Sequence, residues 1–286
     1  MERQGFGEIA ERLRRSTVHV RIEGGREGSG SGVIWSSDGL IVTNAHVARS
    51  DRGAIELWDG REMEATVTTR DTRRDLATLR VPDAAGLPAA TPGHSSALRP
   101  GELVMAVGNP LGFTGALSTG VVHTLGPLRG LGSRSWVQAS VRLLPGNSGG
   151  PLADAEGRVI GINTMIAGRL SLAVPSDTVA EFLRRGTSSV SLGVVIQPVP
   201  VQYQGREMLG LLVLKVVPAS PAEAASLLPG DLLLGVAGRA FHSADDLSEA
   251  LEASSGRTLQ LDFLRGDRKN VRQVAVSLQP VRAAAA

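Results

Sequence analysis

The chain has 286 residues, 42% of them hydrophobic and 20% charged, and its formal net charge is only +2, which suits a soluble protein large enough for two cores. No basic patch interleaves with the scarce aromatics, so nucleic acid is not expected as a partner. Zero Cys excludes disulfides, thiol nucleophiles and thiolate metal sites, and His19, His46, His94, His123 and His242 form no HxH or HExxH pair, so neither a metal nor another cofactor is expected.

Taken in chain order, residues 1–16 read as an N-terminal helical segment, with Phe6, Ile9, Ala10 and Leu13 on one stripe. Residues 17–23 alternate as a strand, leaving His19 to face solvent, and the glycine-rich run 24–32 reads as a flexible turn. Short apolar runs punctuated by Gly, Pro, Asn or Asp then continue to about residue 178, the pattern of an all-β barrel or sandwich. Ser176 is placed to cap a helix over 176–185. Beyond a boundary near 186–190 the texture changes. Strands are expected at 192–196, 210–217, 232–236, 258–264 and 271–278, and helices at 220–228 and 244–253, the first opened by a Ser-Pro pair. The tail at 283–286 reads as unstructured. No apolar run reaches membrane-spanning length. The first ten residues lack the apolar core of a secretion signal, so the expected compartment is the cytoplasm if Met1 is the true start, and extracytoplasmic if a leader has been removed.

The eleven residues RLLPGNSGGPL (142–152) pose the functional question, because Ser148 in a glycine-rich turn is either an ordinary polar residue or a nucleophile. A serine hydroxyl needs a base to accept its proton, and the base needs an orienting acid. His46 ends a strand-to-turn run, TNAHV (43–47), and Asp75 opens another, DLATL (75–79), with Asp71 as the spare acid. The order His46, Asp75, Ser148 is that of chymotrypsin-like proteases. The N–H groups around Gly146, Asn147 and Ser148, chiefly those of Gly146 and Ser148, are placed to receive an oxyanion. The α/β-hydrolase elbow GxSxG also fits 146–150. It requires a helix after the serine and a histidine downstream, whereas Pro151 and a hairpin follow here.

Six motifs in succession, TNAHV (43–47), DLATL (75–79), GNPLG (108–112), GNSGGPL (146–152), GINT (161–164) and LAVPS (172–176), resemble those of the HtrA (DegP/DegS-like) serine proteases. The likeness runs over roughly residues 15–280. It implies a mainly β chain: a chymotrypsin-like double β-barrel protease domain at 17–187, then a mixed α/β PDZ domain at 188–282. It further implies a homotrimer, an extracytoplasmic setting, unfolded polypeptides as substrates, small aliphatic residues before the scissile bond, and peptide C-termini captured by the PDZ domain. By motif position Ser191, Leu192, Gly193 and Val194 would supply the amides for that capture, although Leu192–Val194 also read as plain core strand. Ser140 and Leu144 stand where the family carries an acidic and an amide residue, and the segments 165–171 and 24–32 are shorter than usual. These departures sustain a rival expectation, an inert PDZ-bearing binding protein or chaperone with an unformed oxyanion hole.

Overall fold

A computed structural model describes residues 5–22, 29–110, 113, 115–128, 131, 134–168, 170–185, 191–203, 205–254, 257–266 and 270–278. The chain divides into two compact units, Met1–Gly186 and Thr187–Ala286. The sequence boundary expected near 186–190 and the tail at 283–286 lie outside the described residues.

The first unit is β-rich. Helix α1 (Phe6–Arg15) buries Ile9 and Leu13 among Met105, Val107, Trp136 and Phe182. Phe6, expected on the same stripe, is 53% exposed, whereas Ile9 and Leu13 are buried. Strands β1 (Thr17–Ile22), β2 (Ser29–Ser36), β3 (Leu40–Thr43), β4 (Arg52–Glu56), β5 (Glu62–Asp71) and β6 (Leu76–Arg80) close into a barrel in the order β1-β2-β3-β6-β5-β4. Its interior is filled by branched side chains such as Val18, Val20, Ile34, Ile41, Ile55 and Leu79, which suit a pleated, alternating surface.

Two expectations for this barrel need correction. Strand β2 takes in Ser29–Gly32, read from the sequence as flexible turn, because Gly30 and Gly32 lack the Cβ that would strike Val47, Ile41 and Val20. His19 does not face solvent freely: only 12% of its side chain is exposed, with Nδ1 3.6 Å from Glu56. Its neighbour strand β4 pairs His19 directly with Glu56, so His19 is covered by its cross-strand partner.

The second barrel uses β7 (Thr91–Pro92), β8 (Leu103–Gly108), β9 (Ala116–Pro127), β10 (Ser135–Ala139), β11 (Pro151–Asp154), β12 (Arg158–Ala167) and β13 (Leu170–Pro175). Their order is β11-β8-β9-β10-β13-β12-β7, and a β11–β12 pairing closes the ring. Helix α2 (Ser176–Arg185) follows. Ser176 does not cap its own helix: its hydroxyl donates to the Gly93 carbonyl and accepts from the Ser95 N–H, tying the helix start to a loop.

The second unit is a mixed α/β domain. Strands β14 (Val194–Tyr203), β15 (Arg206–Val216), β16 (Leu232–Val236), β18 (Thr258–Leu264) and β19 (Arg272–Ser277) lie in that order in one sheet, with β17 (Arg239–Ala240) beside β16. Strand β14 runs seven residues past its expected end at 196, through Pro198 and Pro200. Proline is tolerated there because β14 is an edge strand that need not donate on its open side. Helix α3 (Pro221–Ala224) is capped by Ser220, which accepts from the Glu223 N–H, while the Glu223 carboxylate accepts from the Ala219 N–H. It stops well short of 228, where Ser226 adopts a left-handed φ of 57°. Helix α4 (Asp245–Ala253) packs against β16. Among the described residues no helix is long and apolar enough to cross a membrane.

Candidate active site

Strand β3 ends at Thr43 and the chain tightens at once, with the Val47 and Ala48 N–H groups both donating to the Asn44 carbonyl. Ala45 and Val47 are buried on either side of His46, and that anchoring turns the imidazole outward, its side chain 41% exposed. Asp75 sits just before β6 with φ 54°, a left-handed conformation that Asp accepts better than most residues. The Asn44 side-chain amide donates to the Asp75 carbonyl at 2.9 Å and locks the two turns together.

The Asp75 carboxylate faces the imidazole with both oxygens 2.9 Å from His46 Nδ1, and it also accepts the His46 backbone N–H at 3.1 Å. A third donor comes from the second barrel, where Thr164 Oγ1 reaches Asp75 Oδ2 at 2.5 Å. Only 13% of the Asp75 side chain is exposed. Burial pushes its carboxyl up, but the hydrogen bonds from His46 and Thr164, with the imidazole's charge, outweigh burial and hold it below the ordinary carboxylate range. With Nδ1 against an ionised carboxylate, the ring's proton belongs on Nδ1, and Nε2 is the free acceptor.

Ser148 projects from the turn between residue 143 and β11. Its hydroxyl donates to the Thr164 carbonyl at 2.8 Å, so in this conformation it does not bond to His46. Thr164 therefore touches both ends of the constellation, Asp75 through its hydroxyl and Ser148 through its carbonyl. The GINT motif drew attention to this residue but gave it no role, because its two partners are not legible in sequence. The surrounding loop depends on two glycines, Gly146 at φ 101° and Gly149 at φ 87°. The Asn147 N–H donates to the Leu144 carbonyl at 3.0 Å and the Gly149 N–H to the Asn163 carbonyl at 2.8 Å. Among the described residues neither the Gly146 nor the Ser148 N–H has an acceptor, whereas that of Asn147 is spent inside the loop. Of the departures noted in the sequence, Ser140 accepts the Val121 N–H through its hydroxyl, and Leu144 leaves its side chain exposed while its carbonyl serves the turn.

In the second unit Ser191 is exposed and Leu192 buried. Gly193 has φ 77°, and a Cβ there would lie 2.2 Å from Ser220 Cβ. The Leu192 and Gly193 carbonyls accept from Ala222 and Val217, and the Ser191 hydroxyl accepts from the Gly193 N–H. Val194 begins the edge strand β14. These four residues thus form the loop that leads into an open sheet edge, in the second unit.

Residues 30–162 match the trypsin-like peptidase domain and residues 189–278 the PDZ domain. The chain is 34% identical to serine protease HTRA2, mitochondrial, of Bos taurus, over 87% of this chain and 62% of that one, so it spans less than two thirds of that relative's length. It is 35% identical to the putative serine protease HhoA of Synechocystis sp., over 85% of this chain and 68% of the other. Among solved structures, the HtrA-type protease AlgW with tripeptide is similar with a TM-score of 0.66 at 27% identity, covering 98% of both chains. Two closed barrels of the chymotrypsin-like kind followed by a PDZ domain, with these relatives, place the chain in the HtrA family of serine proteases.

Proposed function

We propose that this protein is a serine endopeptidase that cleaves unfolded polypeptides, with Ser148 as nucleophile, His46 as general base and then general acid, and Asp75 as the group that orients and stabilises the imidazolium. The observation that carries the reading is the Asp75 carboxylate, which bonds to His46 Nδ1 on one side and to Thr164 on the other while Thr164 holds the Ser148 hydroxyl. Rotation about the Ser148 Cα–Cβ bond moves its hydrogen from the Thr164 carbonyl to His46 Nε2. Attack on a peptide carbonyl then passes that proton to the imidazole and forms the serine–carbon bond. The oxyanion is received by the N–H groups of Gly146 and Ser148, each contributing about 3 kcal/mol of transition-state stabilisation. Imidazolium protonates the departing amine, and water, deprotonated by the same ring, releases the acyl group and restores Ser148. No metal or cofactor enters any step.

The PDZ unit is the proposed receptor for peptide C-termini, with Ser191, Leu192, Gly193 and Val194 around the carboxylate and the ligand added beside β14. The family likeness supports assembly as a homotrimer and an extracytoplasmic setting. The test is direct. Ser148→Ala is expected to abolish casein hydrolysis and fluorophosphonate labelling while leaving the fold and the oligomer, followed by light scattering, intact. Unchanged casein turnover in that variant refutes the assignment. Labelling of the native chain without added peptide separates an enzyme from an inert binding protein, and labelling that needs a C-terminal peptide identifies a regulated one.

A further inference from the structure

We infer that Ser31 is a positioning residue for the oxyanion loop, acting through the Gly146–Asn147 peptide; the inference rests on the proteolytic reading above. Ser31 lies on β2 in the first barrel and is fully buried. It grips the nucleophile loop of the second barrel at two points. Its backbone N–H donates to the Ser148 carbonyl at 2.8 Å, and its hydroxyl donates to the Gly146 carbonyl at 2.7 Å. These carbonyls belong to the two residues whose N–H groups are the proposed oxyanion donors.

The direction of the hydroxyl hydrogen is settled by its neighbours. The Asn109 backbone N–H points at Ser31 Oγ from 2.9 Å, and Asn109 Nδ2 lies 3.4 Å away. Both are donors, so the lone pairs of Ser31 are engaged there and its one hydrogen goes to Gly146. Asn109 is itself held, its Oδ1 accepting from the Gly115 N–H at 2.9 Å. The Asn109 carbonyl also lies where a Cβ on Gly146 would come within 2.6 Å. This gives Asn109 of the GNPLG motif a purpose that the triad leaves unexplained: it fixes Ser31 and seats the glycine.

Gly146 has no side chain to restrict its torsions, so the orientation of its following peptide depends on its hydrogen bonds. Its oxygen is pinned by Ser31, and its N–H, that of Asn147, by the Leu144 carbonyl at 3.0 Å. With this plane fixed at both ends, the donors on either side, Gly146 N–H and Ser148 N–H, stay aimed in one direction. Without the Ser31 hydroxyl the plane loses one anchor, and a half-buried carbonyl and the buried Asn109 N–H lose their partner.

The experiment compares the full native chain with Ser31→Ala, Ser31→Cys and Thr17→Val. Turnover of fluorescently labelled casein is measured per fluorophosphonate-titrated site, together with inhibition by a tripeptide boronic acid ending in boro-valine, which mimics the tetrahedral state. Ser31→Ala is expected to lower kcat roughly 10- to 100-fold, with KM within about twofold and boronate affinity weakened by the same factor as kcat. Ser31→Cys, keeping a weak S–H donor, is expected to fall between, and it carries the test if the alanine variant does not fold. Thr17→Val removes a hydroxyl-to-carbonyl bond of the same 2.7 Å length, to Leu13, away from the loop; it is expected to lower the melting temperature and leave kcat per site unchanged. The inference is overturned if the Ser31 variants keep native kcat and boronate affinity, or if Thr17→Val loses kcat to the same degree. A native chain that neither turns over casein nor labels would instead overturn the proteolytic reading itself.

Discussion

Thr164→Val isolates the bond from the second barrel to the Asp75 carboxylate. Valine keeps the branched shape and burial of the side chain and deletes one hydroxyl, while the Thr164 carbonyl that holds Ser148 is retained. The lost bond is charge-assisted and lies in a site with little solvent, so its removal is expected to cost about 1.5–3 kcal/mol of stability near neutral pH. The pH dependence follows from the sign of the shift. The native pKa of Asp75 is depressed, so its ionised form stabilises the fold above the unfolded carboxylate's value, and that contribution vanishes as pH falls through the native value. Removing one donor brings the native value back toward the unfolded one. The stability gap between the native chain and Thr164→Val should therefore be widest near neutral pH and close in acid. Urea denaturation at about pH 7 and about pH 3 reads both gaps. A gap of constant size at the two pH values would mean that Thr164 is not bonded to a carboxylate that ionises, and the electrostatic account would fail. Casein turnover should fall by about tenfold or less, since the ring and backbone contacts of His46 to Asp75 remain.

Two further predictions concern glycine strain and a buried ion pair. Gly149 and Gly60 both have positive φ, but a Cβ at Gly149 would lie 2.0 Å from the Ser31 carbonyl oxygen, whereas one at Gly60 meets nothing within 4 Å. Gly60→Ala should cost about 1–2 kcal/mol. Gly149→Ala should cost several-fold more by the same urea titration, and equal costs would contradict the crowding. In the PDZ unit Arg265 donates twice, at 2.6 Å each, to an Asp231 carboxylate whose side chain is 1% exposed. Arg265→Met leaves that buried charge with only the Leu228 N–H as donor among the described residues and should cost about 3–5 kcal/mol. It should appear as faster amide exchange in β16 and β18, and unchanged exchange there would count against the pair as a structural anchor.

Much of this molecule is legible along the chain because much of it is local. The apolar alternation of β1 and the short apolar runs of β3 and β6 mark barrel strands, and the Ser-Pro pair at 220–221 marks a helix start whose cap the structure draws in full. Turn chemistry around TNAHV and DLATL singled out His46 and Asp75, which touch. Expectations failed where burial depended on a neighbour that the sequence does not announce. His19 lies under Glu56 from another strand, Ser176 bonds to a loop about eighty residues earlier, and β14 continues through two prolines because its outer edge is unpaired.

The sequence by itself determined which side chains are available for acyl-transfer chemistry, the order in which they occur, and the two-unit division of the chain, because these follow from residue type, turn signals and period. Tertiary structure alone decided that Thr164 joins Asp75 to Ser148, that Ser148 rests its hydrogen on a carbonyl, and that Ser31 and Asn109 grip the loop of Gly146. Those contacts join residues far apart in the chain, in strands and in the loops between them, through single hydrogen bonds. Such bonds require a geometry set by the closure of two barrels, and they leave no spacing or periodicity in the chain by which to read them.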